Sequence, residues 1–497
     1  MQAALGSDEL RVHQIVPGSR NRNLGGKRHE VNLDSPEAIG ELHRELAGSQ
    51  GAAVGALINL LGLTERFNNS GNDPSVAARR LAQEVFNVVK EFEGDLRASA
   101  QRGGGWLLNF TSLDGKFGLG GNGPLQVAQA ATLGIFKTLA KEWPETFVKN
   151  LDVDPRMDPQ LLFSLVAEEI IHDDGLVEIG IAENKRWKPA LVFDSAPRES
   201  NRPVRLDEQS VVLVTGGAYG ITAEVIKELA RACRPRLVLV GRSPLPEPEP
   251  AELRNLHDAA ALKRHFIETM RRRRPDILPA EIEREVRRVL KERQIRDNLA
   301  AMEQTAHSVD YHAASVRDPR RFGAVLDEVY ARYGRLDGVI HGAGVIEDGL
   351  VGRKTPESFD RVFGTKVDGA GVLVDKLRSE TLQFLAFFSS VSGRFGNPGQ
   401  IDYAAANDYL NKLAVHLDAQ WPGRVFSVNW GPWDAGMISD ELRRMYESVG
   451  VRLIPPRAGA KWFLDELART EDARPEVLLA CTLRTIAAGG REERNVN

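Results

Sequence analysis

Two glycine-rich stretches are the first candidates for chemistry, because a backbone without Cβ atoms can turn its N–H groups onto a phosphate. The segment Val211-Val-Leu-Val-Thr215-Gly216-Gly217-Ala218-Tyr219-Gly220-Ile221-Thr222 runs straight from an apolar strand-like run into a helical pattern, Ala223–Ala232. Gly216 allows a tight turn, Gly220 lets the helix start approach a phosphate, and the helix dipole adds positive potential. Thr215, Gly216, Gly217, Tyr219, Gly220 and Ile221 are therefore candidate contacts to a dinucleotide. The other stretch, Gly118-Leu-Gly120-Gly121-Asn-Gly123, matches G-x-G-x-x-G letter for letter. Ser112–Phe117 separates it from the preceding strand, and Pro124 brings no N–H donor, so it reads as a structural loop.

The strand after the first loop, Arg236–Val240, ends in Gly241-Arg242-Ser243. An acid there would hold a ribose 2′-hydroxyl, whereas an arginine suits a 2′-phosphate. Arg242, with no Asp or Glu at 241–243, favours NADPH; the alternative is a surface arginine at a strand end. Asp310, in SVDYH, falls where a third strand should end and can accept from an adenine amino group. It can equally cap the helix starting near Asp318-Pro319. His341-Gly342-Ala343-Gly344 closes a fourth strand with small residues that let a flat cofactor approach.

The elements that must position these loops alternate strand and helix. Ala53–Leu61, Gly105–Thr111, Phe147–Val153 and Val177–Ile181 read as strands, with helices at Pro74–Arg97, Leu125–Lys141 and Pro159–Ile171. A second series follows: Val211–Thr215, Arg236–Val240, Gly338–His341, Phe384–Ser389 and Val425–Asn429. The fold class is α/β, in two Rossmann-like, doubly wound parallel-sheet halves. The expected domains are a polar linker or tail at 1–30, a first half at 31–207 and a second at 208–497, with a polar junction at 196–208. Within the second half, 244–305 exceeds an ordinary connection and reads as an inserted helical hairpin. Its Arg271–Arg274 run is read as a solvated face, with Glu281, Glu283, Glu285 and Glu292 nearby.

Composition narrows the function classes. The 497 residues carry 65 Lys+Arg against 69 Asp+Glu, a net charge of −4, which argues against a large nucleic-acid footprint. The two cysteines, Cys233 and Cys481, exclude a disulfide framework and a Cys-rich metal site, and no metal is expected. No apolar run reaches the length of about 18 residues needed to span a membrane, and charged residues interrupt any signal-peptide core at the N-terminus. A cytoplasmic protein is expected.

The ordered blocks VLVTGGAYGIT, LVLVGRS, VIHGAGVIEDG, TKVDGAGVL, FFSSVSGRFGNPGQIDYAAANDYL and VNWGPW resemble the ketoreductase domain of type I polyketide and polyunsaturated fatty acid synthases, within the short-chain dehydrogenase/reductase superfamily. The first half, clearest in ATLGIFKTLAKEWPE, is similar to the truncated, cofactor-free structural subdomain that precedes such domains. The resemblance implies Tyr403 as the general acid, Ser390 as a donor to the substrate carbonyl, Lys366 as the cation that lowers the tyrosine pKa and holds the nicotinamide ribose, and Asn407 as support for Lys366 or a relay water. Tyr403 and Asn407 stand at i and i+4, on one helix face.

The family's third loop glycine is Thr222 here, and its L-D-D signature is Ile346-Glu347-Asp348. The retained Asp348, with Phe395 where other members carry Trp, resembles reductases giving 3R-hydroxyacyl products. The expected reaction is NADPH-dependent reduction of a β-ketoacyl chain on an acyl carrier protein, among the other domains of an iterative synthase. The alternatives are an inactive reductase scaffold and a free-standing short-chain alcohol dehydrogenase. The run after VNWGPW, Asp434–Pro456, takes the place of a substrate lid, where Met437, Leu442 and Met445 face either an acyl channel or the core.

Overall fold

The β-branched and aromatic runs form buried strands in a computed structural model of the chain, and amphipathic stretches between them form the covering helices. The structure describes residues 11–47, 53–68, 73–121, 125–172, 174–193, 204–435, 440–469 and 474–482.

The expectation of an irregular tail over 1–30 needs correction for its described part. Strands β1 (Gln14–Pro17), β2 (Arg22–Gly25) and β3 (Arg28–Val31) form a small sheet of order β1-β3-β2. Each has four residues, too few to display a period. The available signal was the Gly25-Gly26 pair, whose positive φ angles (85° and 58°) make the turn between β2 and β3.

The first half continues as α1 (Pro36–Ala47), β4 (Ala56–Asn59), α2 (Glu65–Asn68), α3 (Pro74–Glu91), α4 (Glu93–Ala100), β5 (Trp106–Thr111), α5 (Leu133–Glu142), β6 (Phe147–Val153), α6 (Pro159–Ile171), β7 (Glu178–Ala182) and β8 (Lys185–Trp187). The strands lie in the order β4-β5-β6-β7-β8, parallel except for the β7–β8 pair. Because this order never reverses, the sheet lacks the crevice in which open α/β sheets bind ligands.

The second half comprises β9 (Val211–Thr215), α7 (Gly220–Cys233), β10 (Arg236–Gly241), α8 (Ala259–Arg273), α9 (Pro279–Glu303), β11 (Ser308–Ala313), α10 (Pro319–Tyr333), β12 (Gly338–His341), α11 (Pro356–Lys376), β13 (Phe384–Ser390), α12 (Val391–Phe395), α13 (Ile401–Asp418), β14 (Arg424–Trp430), α14 (Asp440–Ser448), α15 (Pro456–Leu467) and β15 (Glu476–Leu479). All strands are parallel, in the order β11-β10-β9-β12-β13-β14-β15, which reverses between β9 and β12. The insertion forms the hairpin α8–α9 around its own apolar cluster of Leu253, Leu262, Val286 and Val289. In its arginine run, Arg272 pairs with Glu268 and Arg274 with Glu281, all at the surface.

One apolar core crosses from the first half to the second through α3, α5, α11 and α13. Phe86 of α3 stacks on Phe359 of α11, with ring centroids 4.5 Å apart. Gly134 lets α5 lie directly on α13: a Cβ there would come 2.4 Å from the Ala404 carbonyl. Gly134→Ala should therefore destabilise the protein by about 1–2 kcal/mol, because overpacking outweighs the gain in helix propensity. Gly94→Ala in α4, where an added Cβ meets nothing within 4 Å, should cause no loss. Urea unfolding of the two variants checks this.

Candidate active site

The reversal between β9 and β12 opens a crevice at the carboxyl ends of the strands, and the glycine loop turns there into α7. Gly216, with a φ of +73°, is fixed by its surroundings: a Cβ would lie 3.0 Å from the Ala343 nitrogen and the Gly342 oxygen. Thr222 packs against a glycine, since a Cβ on Gly342 would stand 2.5 Å from its hydroxyl. The Thr215 hydroxyl accepts from the Ala343 N–H at 3.1 Å and meets His341 Nδ1 at 2.8 Å. His341 Nε2 lies 2.8 Å from the backbone oxygen of Lys366. Burial lowers the His341 pKa to about 4, so the neutral ring donates to Lys366 and accepts from Thr215. A buried imidazole thus fastens the glycine loop to the helix bearing the candidate lysine.

Lys366 of α11, Ser390 at the end of β13, and Tyr403 and Asn407 of α13 converge beside this loop. Lys366 Nζ donates to the Phe388 carbonyl at 2.7 Å and stands 5.4 Å from the Tyr403 ring centroid. Ser390 Oγ accepts from Ser392 N at 3.2 Å, capping α12. Asn407 Nδ2 donates to the Tyr403 carbonyl at 2.8 Å, while its buried Oδ1 has no partner among the described residues. Burial pushes the Tyr403 phenol above its usual range, against the pull of hydrogen bonds with Asn407 and Ser390. The expected depression by Lys366 is not what the structure gives. Desolvation brings Lys366 itself down to about 7, and its ammonium is directed at a backbone carbonyl. A buried phenol flanked by a hydroxyl and an amine can still pass a proton to a carbonyl oxygen.

Asp348 sits in the loop after β12, where its carboxylate accepts from Gln400 Nε2 at 3.1 Å. Gln400 in turn accepts from Ser392 Oγ at 2.7 Å, and Ser392 touches Ser390 at 3.3 Å, so a polar chain joins Asp348 to the candidate serine. Arg242 and Ser243 lie exposed beyond β10, and the Ser243 carbonyl accepts from Tyr311 Oη at 2.7 Å. Tyr219 precedes α7 with its hydroxyl buried and, among the described residues, unpartnered. These two orphaned groups, Tyr219 Oη and Asn407 Oδ1, and the glycine-only turn at 216 fit a bound dinucleotide.

Asp310 does not belong to this site. It pairs with Val238 in the middle of β11, three residues short of the strand's last residue, Ala313. Its carboxylate is held by Arg332 and Tyr333 at 3.0 and 2.5 Å. The strand continues past Asp310 to Ala313, and the chain turns at Val316-Arg317 instead. Of the lid residues, Met437 lies outside the described residues; Leu442 and Met445 are exposed on α14. From that helix Tyr446 comes near enough to Asp348 to feel its charge, a contact that sequence alone did not indicate. In the literal G-x-G-x-x-G loop, the Asp114 carboxylate takes up the N–H groups of Lys116, Gly118 and Gly120 at 2.7–2.8 Å. Asp152 accepts from Leu113 and Phe117, leaving few amides for a phosphate.

Two buried ionic arrangements hold the catalytic helix candidate α13. At its start, Asp402 accepts from Tyr403 N at 2.8 Å and pairs with Lys354 at 2.6 Å; Lys354 also donates to the Glu347 carbonyl, next to Asp348. Further along, Lys137 of α5 lies 2.6 Å from Asp408 and 3.3 Å from Glu178 of β7. Arg394 of α12 pairs with Glu178 at 2.6 Å, and Lys412 with Glu476 of β15 at 2.7 Å.

Residues 210–435 match the family model of the KR domain. That segment belongs to the KR-domain family. The KR domain holds the glycine loop, Lys366, Ser390, Tyr403 and Asn407. The chain is similar to a polyunsaturated fatty acid synthase of Thraustochytrium sp., 32% identical over 71% of this chain and 13% of that one. It is also similar to polyketide synthase PksN of Bacillus subtilis, 26% identical over 65% of this chain. The chain spans only 13% and 5% of the lengths of these relatives. Among solved structures, an N-terminal ketoreductase from the macrolactin assembly line shares the fold, with a TM-score of 0.68, 20% identity, and coverage of 98% of this chain and 85% of that one. No helix among the described residues is long and apolar enough to cross a membrane.

Folding lowers the Lys366 pKa from 10.5 to about 7. Above pH 10.5 the amine is neutral in both states and no penalty exists. As pH falls toward 7 the unfolded chain binds the extra proton, so stability is lost, and the loss is complete below about 7. Lys366→Met should raise stability at pH 7, by at most about 5 kcal/mol, and flatten its pH dependence between 7 and 10. Urea titrations at both pH values measure this; a less stable variant would contradict it.

Proposed function

We propose that the chain is an NADPH-dependent reductase of β-ketoacyl thioesters carried by an acyl carrier protein, working among the other domains of a polyketide or polyunsaturated fatty acid synthase. The supporting observation is the gathering of Lys366 from α11, Ser390 from β13, and Tyr403 and Asn407 from α13 at the carboxyl end of the sheet, beside the loop 215–222. The relatives' multi-domain length supports the synthase setting.

The bound reduced nicotinamide would supply the hydride. Thr215, Gly216, Gly217, Gly220 and Ile221 would hold the pyrophosphate side, Gly241, Arg242 and Ser243 the adenosine phosphate with Tyr219 at the edge of the loop beside it, and Gly342, Ala343 and Gly344 the flat approach behind it. As the ketone carbon gains hydride, its oxygen gains negative charge. Ser390 Oγ would donate to that oxygen and Tyr403 would give it a proton. Lys366 would favour the resulting phenolate once a ligand fills the crevice and redirects its ammonium from the Phe388 carbonyl. The unpartnered Asn407 Oδ1 would accept from that ammonium or from a relay water. Asp348, through Gln400 and Ser392, would orient the chain for a 3R product.

NADPH oxidation with a β-ketoacyl N-acetylcysteamine thioester tests the reading. Tyr403→Phe should lower kcat by about 10²- to 10⁴-fold with little change in NADPH affinity. Absence of turnover by a parent protein that binds NADPH, with carrier-bound substrate as well, would leave the inactive-scaffold reading. A 3S product would remove Asp348 from its role.

A further inference from the structure

The helical insertion is attached to the dinucleotide side of the sheet. Lys291 and Asn298 of α9 are two helical turns apart and face the same way. Asn298 is buried and donates to the carbonyl of Ala218, inside the glycine loop, at 3.1 Å. Lys291 Nζ lies 5.4 Å from the ring centroid of Tyr219, the next residue of that loop. The same helix also gathers the chain that leaves Arg242 and Ser243. Arg293 donates to Glu249 and to the carbonyls of Leu253 and Leu256 at 2.6–2.9 Å, and Arg296 donates to the Glu247 carbonyl at 2.8 Å. α9 thus braces both the glycine loop and the segment that follows β10.

The charges on this helix are unequally satisfied. Arg288 is paired with Glu285 and Glu292, and Arg293 with Glu249. Among the described residues no carboxylate lies within 4.0 Å of Lys291 or of Arg242, the two cations at the loops in question. A lysine without a counter-ion, set against a tyrosine whose buried hydroxyl also lacks a partner, is an arrangement that an added anion would complete.

We infer that the insertion is part of the cofactor site: Lys291 joins Arg242 in binding the 2′-phosphate of the dinucleotide, and Asn298 holds the glycine loop in place for it. Selectivity for the phosphorylated dinucleotide then depends on a segment outside the βαβ framework. This rests on the reading of 215–222 as a dinucleotide loop.

The test is equilibrium titration of the full chain with NADPH and with NADH, followed by nucleotide fluorescence, with no substrate present. Lys291→Ala should raise the Kd for NADPH about tenfold, the worth of one charge-assisted hydrogen bond, and change that for NADH less than about twofold. Lys291→Gln keeps part of the stem on the Tyr219 ring and should show the same selective loss; Lys291→Arg should recover most of the affinity. Arg242→Ala serves as the comparison and should also act selectively. If the parent protein binds neither nucleotide, the dinucleotide reading itself fails. If Arg242→Ala is selective while the Lys291 variants match the parent, or weaken both nucleotides equally with unchanged melting temperatures, the insertion's role is overturned and the dinucleotide reading stands.

Discussion

The structure depends on a charge cluster sealed between its halves. Lys137, Asp408 and Lys412 are buried, Glu178, Arg394 and Glu476 are largely so, and the six bring as many positive as negative charges. Burial raises the Asp408 carboxyl, whereas for Glu178 the fields of Arg394 and Lys137 overcome burial and lower it. Removing one member of such a set strands another charge, at a cost of about 3–5 kcal/mol. A purely apolar contact would bind as well or better, but it would tolerate sliding. Fixed charge pairs specify one register, and here the register being set is that of α13, with Asp408 directly after Asn407 and Arg394 just beyond Ser390.

The half whose strand order never reverses therefore bears on the candidate site through geometry. Its α5 lies against α13 at Gly134, its Lys137 and Glu178 hold the charges of α12 and α13, and its α3 packs against α11, which carries Lys366. On the opposite side of the site, neutral His341 ties the glycine loop to the Lys366 backbone, and the Lys354–Asp402 pair links the start of α13 to the loop before Asp348. Burial moves Asp402 up to about 6 and Lys366 down to about 7, so the site is surrounded by groups held away from their ordinary ionisation.

The parts of this arrangement that lie in short stretches of sequence were legible there. The turn from β9 into α7 needs only local glycine chemistry, and the strand runs identify themselves by apolar length, so the loop 215–222 and the ends of β10, β12 and β13 fell where expected. Registers and distant partners were not legible. Asp310 reads as a strand-end residue because sequence does not count how far β11 extends along β10. Lys137 and Asp408 are 271 positions apart, and neither differs by type from a surface residue. The direction of the Tyr403 shift escapes the sequence for a related reason: the lysine is rightly placed nearby, but its desolvation and the direction of its ammonium are properties of the packed core.

The core shared by α3, α5, α11 and α13 bears on modularity. The family match ends at 435, yet β15 completes the sheet at 476–479 and the first half supplies one wall of the interior. The segment that carries every candidate reactive group is consequently not a separable body. Produced alone, it would present the faces of α11 and α13 to water and leave Arg394 without Glu178 and Asp408 without Lys137. The unit that keeps its core and its ion pairs intact is the two halves together, and a cut between the two sheets would open both.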